Sequence, residues 1–207
     1  MVNKMIIKQF REEPLDNNNY VVIDPESKEA VLIDCSSPDD TIVDYIKEQG
    51  AKLKFILLTH GHLDHVMGVI HFQEKHNLPV YVAKEDVPLM ADINYWTQLL
   101  GWPEVEVPKA DKMLQRDDEL MLGNNKIQVI PTPGHTEGCV CYLIGDNLFS
   151  GDTLFRGTYG RTDFPGGCQE KMDKSLKKLF DLPETTKVFP GHGAPTTIAD
   201  EKKLYRF

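Results

Sequence analysis

Histidine and aspartate residues gathered in four short segments are the part of this sequence that could do chemistry. The densest segment, residues 59–65, reads T-H-G-H-L-D-H, and the others are T-P-G-H-T at 132–136, S-G-D-T at 150–153 and P-G-H-G at 190–193. Imidazole and carboxylate ligands without thiolates suit Zn²⁺ and can also hold Fe²⁺ or Mn²⁺. We therefore predict a centre for two divalent metal ions, with zinc expected. Its predicted ligands are His60, His62, Asp64, His65, His135, Asp152 and His192.

The spacing within the densest segment separates its members into two pairs. His60 and His62 stand two residues apart, so in an extended chain their side chains can point the same way and bind one ion. Asp64 and His65 follow where the chain is expected to turn into a helix, and they can point toward a second ion.

The remaining three candidates can complete the two sites. His135 can join the first pair, His192 can join the second pair, and Asp152 can bridge both ions through its two carboxylate oxygens. Two neighbouring divalent ions would hold a hydroxide between them with a pKa near neutrality. We assign catalysis to Asp152 and Asp64, and we expect Asp64→Ala to abolish activity.

The elements predicted around these segments explain how the ligands could converge. Apolar runs bounded by Gly, Pro or Asn predict strands, and the candidate ligands follow the ends of such runs. Helices are predicted at 38–50, 68–76 and 168–180, with a final helical stretch at 197–205. The strands are predicted at residues 5–10, 20–24, 30–34, 55–58, 79–82, 119–122, 126–130, 139–144, 147–150 and 187–189.

The repeated order of elements predicts the layers of the fold. Each half of the sequence runs strands first, then a helix and a strand, which fits two sheets packed face to face with helices on both outer faces. Residues 84–108, which include both tryptophans, are predicted to be helical and irregular. They form either a lid or substrate wall, or a segment packed against the sheets.

Three further residues lie near the ligand segments. Asp34 ends an apolar run, and we expect it to support the metal ligands from behind, although a simple turn before the helix is the alternative. His71 and His76 fall on a predicted helix, and we give them no role because isolated histidines are more often structural.

Composition and charge restrict the class of protein. The 207 residues suit one domain over 1–207. The net charge of −9 argues against nucleic acid as a partner, because an acidic surface repels phosphate. The sequence contains no run as apolar as a membrane span and no signal-peptide pattern. Its four cysteines form no C-x-x-C pair, which favours reduced thiols and a cytoplasmic location.

The motifs, in this order, resemble the metallo-β-lactamase superfamily from Asn19 to about Lys202. The resemblance rests on I-D at 33–34, on residues 59–65, and on the segments around 135, 152 and 192. It implies an α/β fold, the four-layer αββα sandwich of the metallo-β-lactamase type, with the metals at one edge of the sheets.

Within the superfamily, the sequence is most similar to the glyoxalase II group, the hydroxyacylglutathione hydrolases. T-P-G-H-T-E-G at 132–138, G-D-T-L-F at 151–155 and G-R-T-D-F-P-G-G at 160–167 resemble that group, the last its short single-domain members. The resemblance implies hydrolysis of small-molecule thioesters such as S-lactoylglutathione by a hydroxide bridging two metals. Arg161 matches a basic residue that holds the glutathione portion, with an ion pair to Asp163 as the alternative.

Two departures leave the acyl group and the thiol carrier open, and the sequence does not predict an oligomeric state. The sequence ends at Phe207, without the C-terminal helical domain that full-length glyoxalase II enzymes use to bind glutathione. It also has C-S-S at 35–37, where the group more often has Pro or Thr followed by Gly.

Other classes remain open. Persulfide dioxygenases resemble this chain at 138–140 and 160–164, and they use one iron held by residues matching His60, His135 and Asp152, but they differ around His192. A lactonase or β-lactamase is a further alternative, against which the 160–167 motif argues. The complete ligand set argues against a non-catalytic metal-binding module.

Overall fold

The structure of the protein is a computed structural model that describes residues 4–12, 15–115 and 118–205. Six strands from the first half of the chain form one sheet, in the same order as in the sequence. The first three strands pair antiparallel, and the third to the sixth pair parallel. These strands are β1 (Ile6–Glu12), β2 (Asn17–Ile23), β3 (Glu29–Ile33), β4 (Lys52–Leu57), β5 (Val80–Ala83) and β6 (Lys112–Leu114).

The rest of the chain contributes β7 (Glu119–Leu122), β8 (Asn125–Pro131), β9 (Val140–Ile144), β10 (Asn147–Gly151), β11 (Leu154–Phe155), β12 (Thr158–Tyr159), β13 (Lys187–Pro190) and β14 (Thr196–Thr197). Six of these strands form a second sheet in the order β14-β13-β10-β9-β8-β7, and β11 pairs with β12 separately. Strands β7 to β10 pair antiparallel in sequence order, whereas β10 pairs parallel with β13. Each half therefore begins antiparallel and then crosses over to a parallel partner.

Helices connect the strands and cover the outer faces. They are α1 (Asp40–Glu48), α2 (Leu63–Val66), α3 (Val69–His76), α4 (Val87–Ala91), α5 (Ile93–Leu99), α6 (Gln169–Phe180) and α7 (Ile198–Lys202), with a 3₁₀ turn at Lys84–Asp86. Helix α1 begins later than the predicted 38–50 because Asp39 caps it, accepting the backbone N–H of Thr41 at 2.9 Å. Among the described residues, no helix combines the length and the apolar character needed to cross a membrane.

Apolar side chains alternate along the strands and so fill three separate layers. On β2, Val21 faces the helices α1 and α3, while Tyr20 and Val22 face the other sheet. On β10, Phe149 faces the first sheet and Leu148 faces α6. Successive side chains of a strand point to opposite faces of the sheet, so both faces of these strands are buried. The predicted four-layer αββα sandwich is confirmed.

The segment 84–108 is helical and irregular as predicted. It contains the 3₁₀ turn, α4 and α5, and then continues without regular structure. Trp96 and Trp102 are partly buried against the core layer between the first sheet and its helices. The segment therefore packs on the sandwich, and α5 also borders the cleft described below.

The two sheets are tied together at the edge where β4, β10 and β13 end. The backbone N–H of Val140 donates to the carbonyl of Thr59 at 2.9 Å, and the hydroxyl of Tyr142 donates to the carbonyl of Leu58 at 2.6 Å. Across the same edge, the hydroxyl of Tyr20 donates to the carbonyl of Pro190 at 2.8 Å. These bonds hold the loops after the strands in fixed relation.

Candidate metal centre

Three buried histidines converge at this edge. His60 and His62 follow β4 in extended chain, and His135 follows β8. His60 Nε2 lies 3.1 Å from His62 Nδ1, which lies 2.9 Å from His135 Nε2. A proton between any two of these nitrogens leaves the third without a partner, whereas a cation can bind all three. The donor set therefore fits a metal ion.

Asp64, His65 and His192 form a second group beside the first. Asp64 and His65 lie in α2, and His192 follows β13. Asp64 Oδ2 lies 3.6 Å from His65 Nε2 and 3.2 Å from His192 Nε2. His65 is fully buried, but Asp64 and His192 are partly exposed. One carboxylate and two imidazoles in a half-open site suit a divalent cation with room for another ligand.

Asp152 follows β10 directly and lies between the two groups. Its Oδ1 is 3.4 Å from His65 Nε2, and its Oδ2 is 3.5 Å from both His135 Nε2 and His192 Nε2. Oδ1 is buried and makes no hydrogen bond within the described part of the chain. A buried carboxylate oxygen without a partner costs free energy, and a cation here would supply the partner. The structure thus brings all seven predicted ligands together.

Hydrogen bonds behind the histidines decide which ring nitrogen faces inward. Asp34 lies 2.9 Å from His65 Nδ1, and its carboxylate accepts the backbone N–H and the hydroxyl of Thr59, each at 2.8 Å. The Nδ1 proton of His65 therefore points to Asp34, so Nε2 carries no proton, as a metal ligand requires. His60 Nδ1 likewise lies 3.1 Å from the hydroxyl of Thr59. Asp34 thus lies behind the ligands, where the sequence-based prediction placed it.

The other histidines of the centre are oriented by backbone carbonyls, with one exception. His135 Nδ1 donates to the carbonyl of Arg161 at 2.7 Å, and His192 Nδ1 donates to the carbonyl of Asp16 at 3.0 Å. His62 is reversed, since its Nδ1 faces the group. Its Nε2 is buried and has no hydrogen-bond partner among the residues described. In every case, one imidazole nitrogen is directed at the same small volume.

The two groups differ in electrostatic character. Burial lowers the pKa of His60 and, with the neighbouring His135, lowers the pKa of His62 to about 4. Burial also disfavours charge on His65, but the carboxylates around it outweigh this and raise its pKa well above the ordinary value. The first group therefore offers neutral nitrogen donors, and the carboxylates of the second group attract positive charge, which a bound cation would supply in place of protons on the histidines.

Asp86, in the 3₁₀ turn after β5, connects the loops that carry the first group. Its buried carboxylate accepts the N–H of Gly61 at 2.9 Å, the N–H of Gly138 at 2.7 Å and the hydroxyl of Thr136 at 2.7 Å. Burial raises the pKa of Asp86, although these three bonds oppose the shift. The sequence analysis missed this residue, because an acidic residue in a K-E-D turn carries no signal of burial.

Asn17, on β2, is a second residue that the sequence analysis missed. Its Nδ2 lies 2.9 Å from His65 Nε2 and 3.4 Å from Asp64 Oδ2, while its Oδ1 accepts the hydroxyl of Ser36 at 2.6 Å. The signal that could have found it is the run N-N-N at 17–19, since asparagine is depleted in strands. All three asparagines are buried.

The metal centre opens into a cleft of about 560 Å³ between α5 and the loop after β12. Arg161 lies on its wall, with its guanidinium paired to both carboxylate oxygens of Asp163 at 2.7 Å. This is the ion pair that the sequence analysis kept as an alternative, and a contact of Arg161 with substrate remains a prediction. His71 and His76 lie away from the cleft and face Asp40, with Nε2 to Oδ1 distances of 2.9 and 3.2 Å.

The fold and the motifs agree with comparison to known families. The model of the metallo-β-lactamase superfamily matches residues 14–192. The chain therefore belongs to the metallo-β-lactamase superfamily, which confirms the sequence-based prediction. This is a metallo-hydrolase superfamily, and its proteins bind divalent metal ions.

Similar proteins match over nearly their full length. The chain is 36% identical to "Probable metallo-hydrolase YqgX" of Bacillus subtilis, with 91% of this chain and 90% of that protein covered. It is 32% identical to "Hydroxyacylglutathione hydrolase GloC" of Haemophilus influenzae, with 91% and 92% covered. The relatives thus include a glyoxalase II-type enzyme, as predicted.

Solved structures give the same family. BLEG-1 B3 metallo-β-lactamase matches with a TM-score of 0.87 at 33% identity, covering 96% of this chain and 97% of that one. TTHA1623, solved in a di-iron-bound form, matches with a TM-score of 0.86 at 35% identity, covering 95% and 98%. ETHE1 from Myxococcus xanthus matches with a TM-score of 0.80 at 29% identity, covering 97% and 83%.

Proposed function

We propose that the protein hydrolyses thioesters of the S-lactoylglutathione type with a pair of divalent metal ions, zinc being the expected metal. The observation that carries this proposal is the position of Asp152 between two separate groups of donor atoms. A single-metal centre would use one group and leave the other without a purpose. Two groups with a shared carboxylate fit two ions side by side.

In this proposal, His60 Nε2, His62 Nδ1 and His135 Nε2 would hold the first ion together with Asp152. These are the atoms that converge in the first group. The outer hydrogen bonds of His60 and His135 favour inward nitrogens without a proton, which is the state that a metal ligand needs.

Asp64, His65 Nε2 and His192 Nε2 would hold the second ion, and Asp152 would be shared by the two ions. Burial opposes ionisation of Asp64 and Asp152, but the histidines beside them lower the pKa of both carboxyls. Both residues therefore remain ionised near neutral pH and act as ligands, not as proton donors.

The chemistry of thioester cleavage matches what the cleft offers. Two divalent ions bound there would supply a hydroxide nucleophile near neutral pH and would polarise the substrate carbonyl. Thiolate is a good leaving group, so the remaining residues need not include a strong general acid. The likeness to the hydroxyacylglutathione hydrolase GloC supports a thioester as the substrate.

The test combines metal analysis with a hydrolysis assay on the purified full chain. We expect two divalent ions per chain and release of glutathione from S-lactoylglutathione. Asp64→Ala should abolish hydrolysis, and His71→Ala should preserve it, since His71 lies outside the centre and faces Asp40. Full activity in Asp64→Ala would refute the two-metal proposal.

The same assays separate the rival functions. A persulfide dioxygenase would contain one iron per chain, consume oxygen with a persulfide substrate and fail to release glutathione from the thioester. That reading uses His60, His135 and Asp152 but leaves the second group unexplained. The likeness to BLEG-1 B3 metallo-β-lactamase favours a β-lactamase as a second candidate. Opening of a chromogenic cephalosporin, without thioester hydrolysis, would replace our proposal with that one.

A further inference from the structure

Helix α5 and its C-terminal cap residue expose apolar side chains beside the metal centre. The side chains of Tyr95, Leu99 and Leu100 are 60%, 64% and 46% exposed. Within the described residues, these three are half of the six large apolar side chains that are exposed, and all three belong to one turn and a half of chain. Leu99 and Leu100 also line the cleft, and exposed apolar side chains at the mouth of a cleft indicate a binding surface.

Aromatic rings connect this helix to the metal ligands. The Trp96 ring lies 6.0 Å from the His62 ring and 5.0 Å from the Phe164 ring, measured between centroids. Phe164 in turn lies 6.1 Å from His62. We call Trp96, Leu99, Leu100 and Phe164 the apolar wall, since all four line the same cleft as the metal centre.

The lining of the cleft offers few positively charged side chains to an acidic substrate. Among the described residues that line it, Arg161 is the only lysine or arginine. Its guanidinium lies 3.8 Å above the Phe164 ring and is bound by both oxygens of Asp163. This one cation already faces a carboxylate, and the described lining residues offer no second lysine or arginine for the two carboxylates of a glutathione moiety.

We propose that the apolar wall binds an aliphatic or aromatic arm of the substrate, so that the preferred thioesters are more apolar than S-lactoylglutathione. This proposal rests on the proposed thioester hydrolysis and adds the substrate class. A cleft of about 560 Å³ has room for such an arm beside the reacting carbonyl. Burial of each methylene group against the wall would raise kcat/KM about fourfold.

The kinetic test uses two homologous series of thioesters. One varies the acyl chain on glutathione from butyryl to hexanoyl to octanoyl, and the other keeps a butyryl group and lengthens an alkyl thiol. A rise of about fourfold per methylene in either series supports the wall and identifies which arm it binds. A flat response in both series, with hydrolysis still present, overturns the wall and leaves the proposed function standing.

Variants and a binding measurement make the outcome independent of turnover. Leu99→Ser combined with Leu100→Ser should remove most of the rise in kcat/KM with the length of the substrate's alkyl chain. Both side chains are exposed enough to be replaced without disturbing the core. Met121→Ser is the matched control, since Met121 is 49% exposed on β7. It should keep the full gain.

Binding is followed by the fluorescence of Trp96 in a Trp102→Phe background, with S-methylglutathione and S-hexylglutathione as probes that cannot be hydrolysed. We expect the hexyl probe to quench this fluorescence at concentrations at least 10-fold lower than the methyl probe does. Loss of this difference in the Leu99/Leu100 double variant would support the apolar wall even if no thioester is cleaved. Equal titrations for the two probes, together with flat acyl and thiol series, overturn the proposal. Absence of thioester hydrolysis with selective hexyl binding would overturn only the proposed function.

Discussion

Asparagine in place of Asp34 would change the hydrogen bonding behind His65 while keeping the size of the side chain. In the structure, Asp34 Oδ1 accepts the N–H of Thr59, and Oδ2 lies 2.9 Å from His65 Nδ1. An amide has one acceptor and one donor, so in either orientation a donor faces a donor. Asparagine tolerates the left-handed φ of +60° found here, so backbone strain contributes little.

The two orientations of the amide set the size of the effect. If the amide nitrogen faces Thr59, a buried N–H loses its acceptor, which costs about 1–3 kcal/mol of stability. If it faces His65, the ring takes the other tautomer and places a proton on Nε2, toward the metal group. Loss of such a partner weakens metal binding about 10–100-fold. We expect one of these two changes in Asp34→Asn.

Two measurements check this prediction. Competition with a chromophoric chelator gives the affinity for each ion, and urea unfolding of the metal-free protein gives the free energy of unfolding. Asp146→Asn is the control, since that aspartate is exposed in the turn between β9 and β10 and should change neither quantity. Affinities within about twofold of wild type, with an unchanged free energy of unfolding, would refute the reasoning.

Three further perturbations test other parts of the centre. Asp86→Asn should lower the free energy of unfolding of the metal-free protein, measured in urea, by about 1–3 kcal/mol, because the amide nitrogen must face a loop N–H. An unchanged free energy of unfolding would show that Asp86 does not link the loops. Gly191→Ala would place a methyl group against Asp152 Oδ1 and 2.9 Å from His65 Cε1. Because this displaces two proposed ligands, kcat for thioester hydrolysis should fall about 100-fold. A fall of less than about threefold would contradict this geometry. Removal of both ions with a chelator should lower Tm by roughly 20 °C, because each ion at about 1,000 times its Kd adds about 4 kcal/mol. An equal Tm by calorimetry would show that no ion binds the native state tightly.

The parts of the molecule predictable from sequence are those specified by local patterns. Ten of the strands were predicted from apolar runs in the sequence. Burial of one face of a strand leaves an alternating pattern of apolar residues, and burial of both faces leaves a short continuous run. Strands β6, β11, β12 and β14, each of two or three residues, left no such period. The ligands were visible because histidine and aspartate after a strand end are distinctive in type and spacing.

The supporting residues of the centre could not be predicted in the same way. Asp86 acts through hydrogen bonds to Gly61 and Gly138, which are 25 and 52 positions away in the sequence. Such contacts depend on which loops lie next to each other in the fold, and a single sequence has no local pattern that indicates this. Arg161 shows the same limit, since its motif suggested a substrate contact but its guanidinium faces Asp163.

The edge at which the sheets meet has a consequence for how the molecule is assembled. The first half of the chain supplies two donors to each proposed ion, and the second half supplies one histidine to each together with the shared Asp152. Neither half alone reaches four ligands for either ion. If the chain were divided between β6 and β7, each fragment would hold an incomplete chelate. Reassociation of the fragments would then depend on the concentration of free metal, because the ions would add to the shared apolar layer and the hydrogen bonds that already join the two sheets.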